Sequence, residues 1–352
     1  VSPLARAASL AEVAVGVLDG GRRWLWRHAA RTDLGRTCAR DRSTRILALG
    51  LGHILVAFTV VGLVPLWLLL LSPLVLGVPH VVADVRYLVI RGPSLRPETL
   101  VALVVPLAAM TGLSVMEVMG GPSYPNVDVA LGFAAIALAV SLAPASGRRR
   151  ACVLAGVVAL AVPAILAPYV AMMVLLHGHN VIAMVIWLCW TRRTVRLAHR
   201  IAILFAAIVA TAALLAGVLD GIAWAGGPDF DLAPALAPGL DPVMANRLVL
   251  VYAFLQALHY VIWLRLIPST QSQTPAASTF RRSLASLRAD FGAVALAAIV
   301  VVALAVPTLA CVYEPARVRD LYLSVALFHG WLELAVIGYL VVTRQRLGEP
   351  AA

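Results

Sequence analysis

Two stretches of the chain place an imidazole and a carboxylate four residues apart in otherwise apolar sequence: Gly77-Val-Pro-His80-Val-Val-Ala-Asp84 and Leu327-Phe-His329-Gly-Trp-Leu-Glu333. On a helix, residues four apart lie on one face, one above the other. Four further histidines, His53, His177, His179 and His259, also fall inside apolar runs. Ionisable groups at membrane depth are costly, so by default they mark function. Neutral imidazole is the commonest metal ligand, and several together suit iron, copper, zinc or nickel. Histidines on a metal usually pass their other ring proton to a carboxylate or carbonyl. Asp84 and Glu333 are spaced for that role, or to be ligands themselves.

A simpler reading stands beside each candidate. A lone histidine in a membrane helix also serves to hydrogen-bond a neighbouring helix, which applies most strongly to His53. His259 has Tyr260, Trp263 and Arg265 nearby, a set that also suits an interfacial anchor. His177 and His179 are two apart, on roughly opposite sides of a regular helix. One ligand and one outer group are therefore expected from that pair, with Asn180 adding a hydrogen bond. Glu117 and Asp220 read as solvated span ends, and Arg86 and Arg265 as snorkelling arginines.

The elements that must position these groups are membrane helices. Of 352 residues, 62% are hydrophobic and only 13% charged, with mean hydropathy +0.93. Soluble domains are about half apolar and about a quarter charged, so an all-α polytopic bundle is expected. The net charge of +11 would point to nucleic acid in a soluble chain. Here it is carried by arginines between the apolar runs, as membrane topology requires, and no nucleic-acid partner is expected. The alanine-rich, lysine-free composition looks like that of a GC-rich bacterial genome, so the membrane expected is the bacterial cytoplasmic one. Cys38, Cys152, Cys189 and Cys311 lack the spacing of a disulfide framework or thiolate site. The first residues lack the order of a cleaved signal.

At roughly 20 apolar residues per span, ten spans are read: 46–64, 66–90, 99–118, 128–145, 151–168, 169–190, 200–219, 247–267, 290–310 and 320–342. Pro163 and Pro168 could end or kink the fifth, which would leave nine. A basic arm (1–44), with Trp24 and Trp26 among arginines, is expected to form a helix lying on the cytoplasmic membrane surface, or else to be partly disordered. A transmembrane domain (45–345) and a short tail (346–352) come after it. Gly120–Asp128 has no arginine, and Asp220–Asn246 has none but holds Asp220, Asp229, Asp231 and Asp241. The alternate connections carry Arg86, Arg91 and Arg96, then Arg148–Arg150, then Arg192, Arg193, Arg196 and Arg200, then Arg281, Arg282 and Arg288. Arg344 and Arg346 come after the last span, and Arg317 and Arg319 alone oppose the pattern. Both termini are thereby placed in the cytoplasm.

This topology assigns depths. His53, His80 and His259 fall roughly 9–12 Å into the cytoplasmic half at 1.5 Å per residue. His179 and His329 fall near mid-membrane, roughly 20 Å in, with Glu333 between the layers. No internal repeat is visible beyond the two His-x-x-x-acid helices. Residues 268–286 read as a flexible cytoplasmic loop.

The segment Gly-Val-Pro-His80-Val-Val-Ala-Asp84 resembles the Gly-x-Pro-His-Gly-x-x-Asp segment of the Brp/Blh family of membrane β-carotene 15,15′-dioxygenases. His259-Tyr-Val-Ile-Trp-Leu-Arg265 is similar to that family's His-x-x-Arg-His helix. The resemblance implies one non-haem iron held by His53, His80 and His259, with dioxygen and a lipophilic polyene as substrates. Val81 stands where the family has glycine, and the second histidine of the late helix is absent. A fourth ligand would then come from His177, His179 or His329. The function expected is a membrane iron oxygenase acting on a polyene or isoprenoid. The alternatives are a b-type haem electron carrier with axial pairs such as His80–His259 and His179–His329, a transporter with a His/carboxylate proton relay, and a scaffold in which the histidines pack.

Overall fold

Proline sets the start of most spans. Its missing N–H costs nothing in the first helical turn, and its fixed φ suits that turn. Six of the spans open this way, in helices α4 (Pro65–Asp84), α5 (Pro97–Val118), α6 (Pro125–Leu142), α8 (Pro168–Trp190), α10 (Pro242–Val261) and α12 (Pro315–Ala326). The remaining helices are α1 (Pro3–Ala29), α2 (Asp33–Arg40), α3 (Arg42–Leu63), α7 (Gly147–Leu166), α9 (Leu197–Leu215), α11 (Phe280–Val312) and α13 (Phe328–Thr343). The computed structural model describes residues 3–92, 95–220, 236–271 and 278–345, with side chains from residue 13 onward. Arg346, Asp229 and Asp231, the tail 346–352 and the centre of the 268–286 segment lie outside them.

Among the described residues the chain is helical, and ten helices are long and apolar enough to cross a membrane. Pro163 lies inside α7 and Pro168 opens α8, so the two prolines bracket the boundary between two separate spans. One expectation about the non-spanning parts changes. The described arm is helical, as the first of its two readings had it: α2 is capped by Thr32, and Asp41 accepts from the Ser43 and Thr44 amides at the start of α3. Residues 280–286 form the first turns of α11, which Thr279 caps and to whose Phe280 and Arg281 amides the Asp19 carboxylate is bonded at 2.8 and 3.2 Å. The polar composition there encodes a helix start.

The arginine-rich ends gather at one end of the bundle. Arg42 donates to the Thr270 carbonyl at 3.2 Å, and Arg196 pairs with Asp41 at 3.4 Å. Arg86 does not snorkel: its side chain is buried and bonded to Asp290 and Ser286, each at 2.6 Å, where Arg91 joins them. Asp220 and Arg247 pair at the opposite end.

Small residues let the site-bearing helices touch, as expected where bundles are held by close packing. A Cβ at Gly77 would collide with the Tyr322 ring, so this glycine admits α12 against α4 one turn before His80. A Cβ at Gly132 would collide with the Trp331 indole, which seats α13 against α6 between His329 and Glu333.

Candidate metal centre

Local irregularity surrounds each critical side chain. Pro79, directly before His80, removes one backbone donor inside α4. After Asp84 the same span continues as a π-helical segment, Val85–Ile90. In α10 the helix again widens into a π-helical segment, Ile262–Leu266, just past His259. Single π-type turns inside α-helices are frequent at functional sites, because the extra residue rotates the turn before it against the turn after it. The last span, Pro315–Thr343, passes from α12 to α13 at Leu327, whose backbone keeps right-handed helical angles (φ −51°, ψ −34°). The Ala326 carbonyl, left at that helix end, meets Nδ1 of His329.

Four imidazoles converge. His80 Nε2 and His259 Nε2 are 2.6 Å apart, and His179 Nε2 and His329 Nε2 are 3.2 Å apart. The ring centroids form a closed circuit: His80–His259 4.6 Å, His259–His179 4.4 Å, His179–His329 5.0 Å and His329–His80 4.7 Å. Asp84 Oδ2 lies 3.3 Å from His80 Nε2. One donor atom from each of His80, Asp84, His259 and His329 fits within 4.8 Å of the other three. Asp84 and Glu333 are both fully buried and close enough to interact electrostatically.

The other face of each ring points at backbone. His80 and His179 face carbonyls three residues back, of Gly77 and Leu176, as His329 faces Ala326. His259 faces the carbonyl of His179. The Nδ1 atoms of His80 and His259 stop short of full hydrogen-bond geometry. A carbonyl opposite Nδ1 favours the tautomer that keeps its proton there, which leaves the Nε2 lone pair for the shared centre.

All four carboxylate oxygens of Asp84 and Glu333 are buried without a well-aligned hydrogen-bond donor among the described residues. Buried charge of that kind is far too costly to leave unpaired. A cation at the centre removes the difficulty. With one divalent ion, two carboxylates and four neutral imidazoles, the net charge of the cluster is zero. The residues therefore fit a metal ion.

His177 and His53 lie outside this circuit. His177 Nε2 is 3.0 Å from the Leu236 carbonyl and its ring packs on Tyr252. His53 Nδ1 bonds back to the Leu49 carbonyl at 2.6 Å. The two-layer depth scheme also fails for His179 and His329, which meet His80 and His259 at one point. Counting from the nearest arginine ignores helix tilt and the differing lengths of chain between each span and the membrane surface. Sequence reasoning missed Tyr260, whose ring centroid lies 4.9 Å from that of His80 and whose hydroxyl accepts from Gln256 at 3.2 Å. It also gave Trp263, buried beside Glu333, no role beyond an interfacial anchor. Gln256, a buried polar residue one turn before Tyr260 in an apolar helix, was the available signal. The chain matches no family model, and no curated protein or solved structure matches it either.

Proposed function

We propose that this chain is an integral membrane, non-haem iron oxygenase acting on a lipophilic polyene or related isoprenoid. The observation that carries the reading is the meeting of four imidazoles and the Asp84 carboxylate, from α4, α8, α10 and α13, with the buried Glu333 close to Asp84. His80, His179, His259 and His329 would hold the ion by Nε2, while Asp84 and Glu333 balance its charge as ligands or close neighbours. When bound, iron supplies the activation of dioxygen. The protein's own residues fix the imidazole tautomers, exclude water, and set the opening. His80, His259, Asp84 and Glu333 are buried, whereas His179 and His329 are only half-buried. Beside them Gly178 faces open space, and α8 presents exposed Val174, Val181 and Val185. An apolar substrate would thus approach laterally along α8, as membrane-dissolved molecules must. The Gly-x-Pro-His-x-x-x-Asp likeness to the Brp/Blh dioxygenases supports the same chemistry, with His179 and His329 in place of His53. The arginine distribution supports both termini lying in the cytoplasm of a bacterial cell.

The closed circuit of all four imidazoles suits one shared ion better than two separate haem-binding pairs.

Elemental analysis with an absorption spectrum of the purified protein tests the proposal. About one iron per chain without a Soret band is expected. A Soret band would restore haem, and protein that folds and contains no metal would leave the transporter.

A further inference from the structure

Away from the metal centre, α1, α2 and the start of α3 border an open depression of about 530 Å³ lined chiefly by Arg22, Arg23, Trp26, Arg27 and Arg45. Arg22 and Trp26 are four apart on α1, as are Arg23 and Arg27, so one helix face carries three guanidinium groups. Arg45 forms the floor. It is only 3% exposed, and one of its amino groups donates to the Cys38 carbonyl at 2.9 Å. Arg22 and Arg42 are both close enough to repel it, and Arg22 also acts on Arg265. Two acids act on the cluster, Asp19, which also caps α11, on Arg22 and Arg23, and Asp41, which also caps α3, on Arg45, so the four lining arginines still outnumber the acids near them. The described lining holds arginines and no carboxylate.

Like charges drawn together around a concavity are stabilised when an anion joins them, and guanidinium groups match phosphate oxygens in geometry as well as charge. The surroundings are those of an amphiphile. Trp24 and Leu25 are exposed on α1, Trp26 is half-buried at the depression, and Leu55 and Val56 are exposed further along α3. Tryptophan at this position suits the headgroup level of a bilayer. We propose that the depression binds the phosphate headgroup of an anionic phospholipid, whose acyl chains lie along the exposed apolar face of α3. This site is independent of the metal centre.

Native mass spectrometry of the detergent-purified chain, titrated with phosphatidylglycerol, phosphatidylcholine or inorganic phosphate, tests it. Phosphatidylglycerol should bind one to one and about ten-fold more tightly than phosphatidylcholine, with inorganic phosphate far weaker. The double variant Arg23→Gln/Arg27→Gln, at two exposed positions, should lose that preference, by roughly ten-fold or more. The charge-matched control Arg148→Gln/Arg192→Gln should keep it. Equal binding of the two lipids, or equal loss in the control, overturns the proposal. If inorganic phosphate binds as tightly as phosphatidylglycerol, the site takes a soluble phosphate and the lipid assignment falls. If the double variant does not fold, the lipid preference of the unaltered chain decides alone.

Discussion

The spans Pro242–Thr270 and Gly147–Leu166 are both apolar enough to cross a membrane, yet the structure treats them oppositely. Of the most apolar window, 72% is buried inside the protein in the first and none in the second. The span Phe280–Val312 is the most apolar of the ten, and its window is likewise wholly unburied. Hydropathy therefore does not report depth within the bundle. Lipid tails are as apolar as leucine, so a membrane helix gains nothing by moving a leucine from lipid to protein. What draws α10 inward is its polar set, Tyr252, Gln256, His259 and Tyr260, all buried. α7 has no comparable group between Arg150 and its end.

The largest test of this contrast is chemical. His80→Ala and His259→Ala should each remove the metal to background, while His53→Ala and His177→Ala leave it bound, as measured by metal content per folded chain. Glu333→Gln should weaken metal affinity by about 10–100-fold if the carboxylate acts around the ligands. Iron lost equally from His53→Ala would move the centre toward α3 and restore the ligand set the Brp/Blh likeness implies.

A smaller effect is steric. Gly132→Ala meets the Trp331 indole and should destabilise the protein by about 1–3 kcal/mol, the usual cost of overpacking. Gly156→Ala on α7 meets nothing within 4 Å and should cost nothing. Detergent-based unfolding of both variants checks the pair, and equal losses would mean that α7 is buried after all.

Smaller again is the tie between α4 and α11. Asp290→Asn leaves Arg86 and Arg91 facing each other with Ser286 and should cost about 1–2 kcal/mol, discounted because the pair is only partly buried. An unfolding midpoint unchanged from wild type would show α11 held by lipid alone.

The smallest effect is at the opposite end. The Arg247 hydrogen bond holds the Asp220 carboxyl below its ordinary value of 3.8. A depressed carboxylate contributes stability in full above that ordinary value, and the contribution is lost as pH falls through the lowered one. Wild type should therefore melt slightly above Asp220→Asn at pH 6, with the gap closing only below about pH 4. A gap that closes near neutrality would assign it to another group.

Much of the fold is written in local chemistry. Span lengths come from apolar runs, and span starts from Pro65, Pro97, Pro125, Pro168, Pro242 and Pro315, because each proline suits a first turn wherever it stands. The i, i+4 spacing of His80 with Asp84 and of His329 with Glu333 likewise fixes two faces without reference to any neighbour. Which faces meet is another matter. The π-helical segments after Asp84 and His259 and the glycine contacts at Gly77 and Gly132 bear on how α4, α10, α12 and α13 are rotated. On α8 and α3 the tertiary packing turns His179 to the centre, while His177 meets the Leu236 carbonyl and His53 its own helix. No periodicity in the sequence announces those orientations, since rotation about a helix axis is settled by the few polar and close-packed contacts between helices and not by hydropathy.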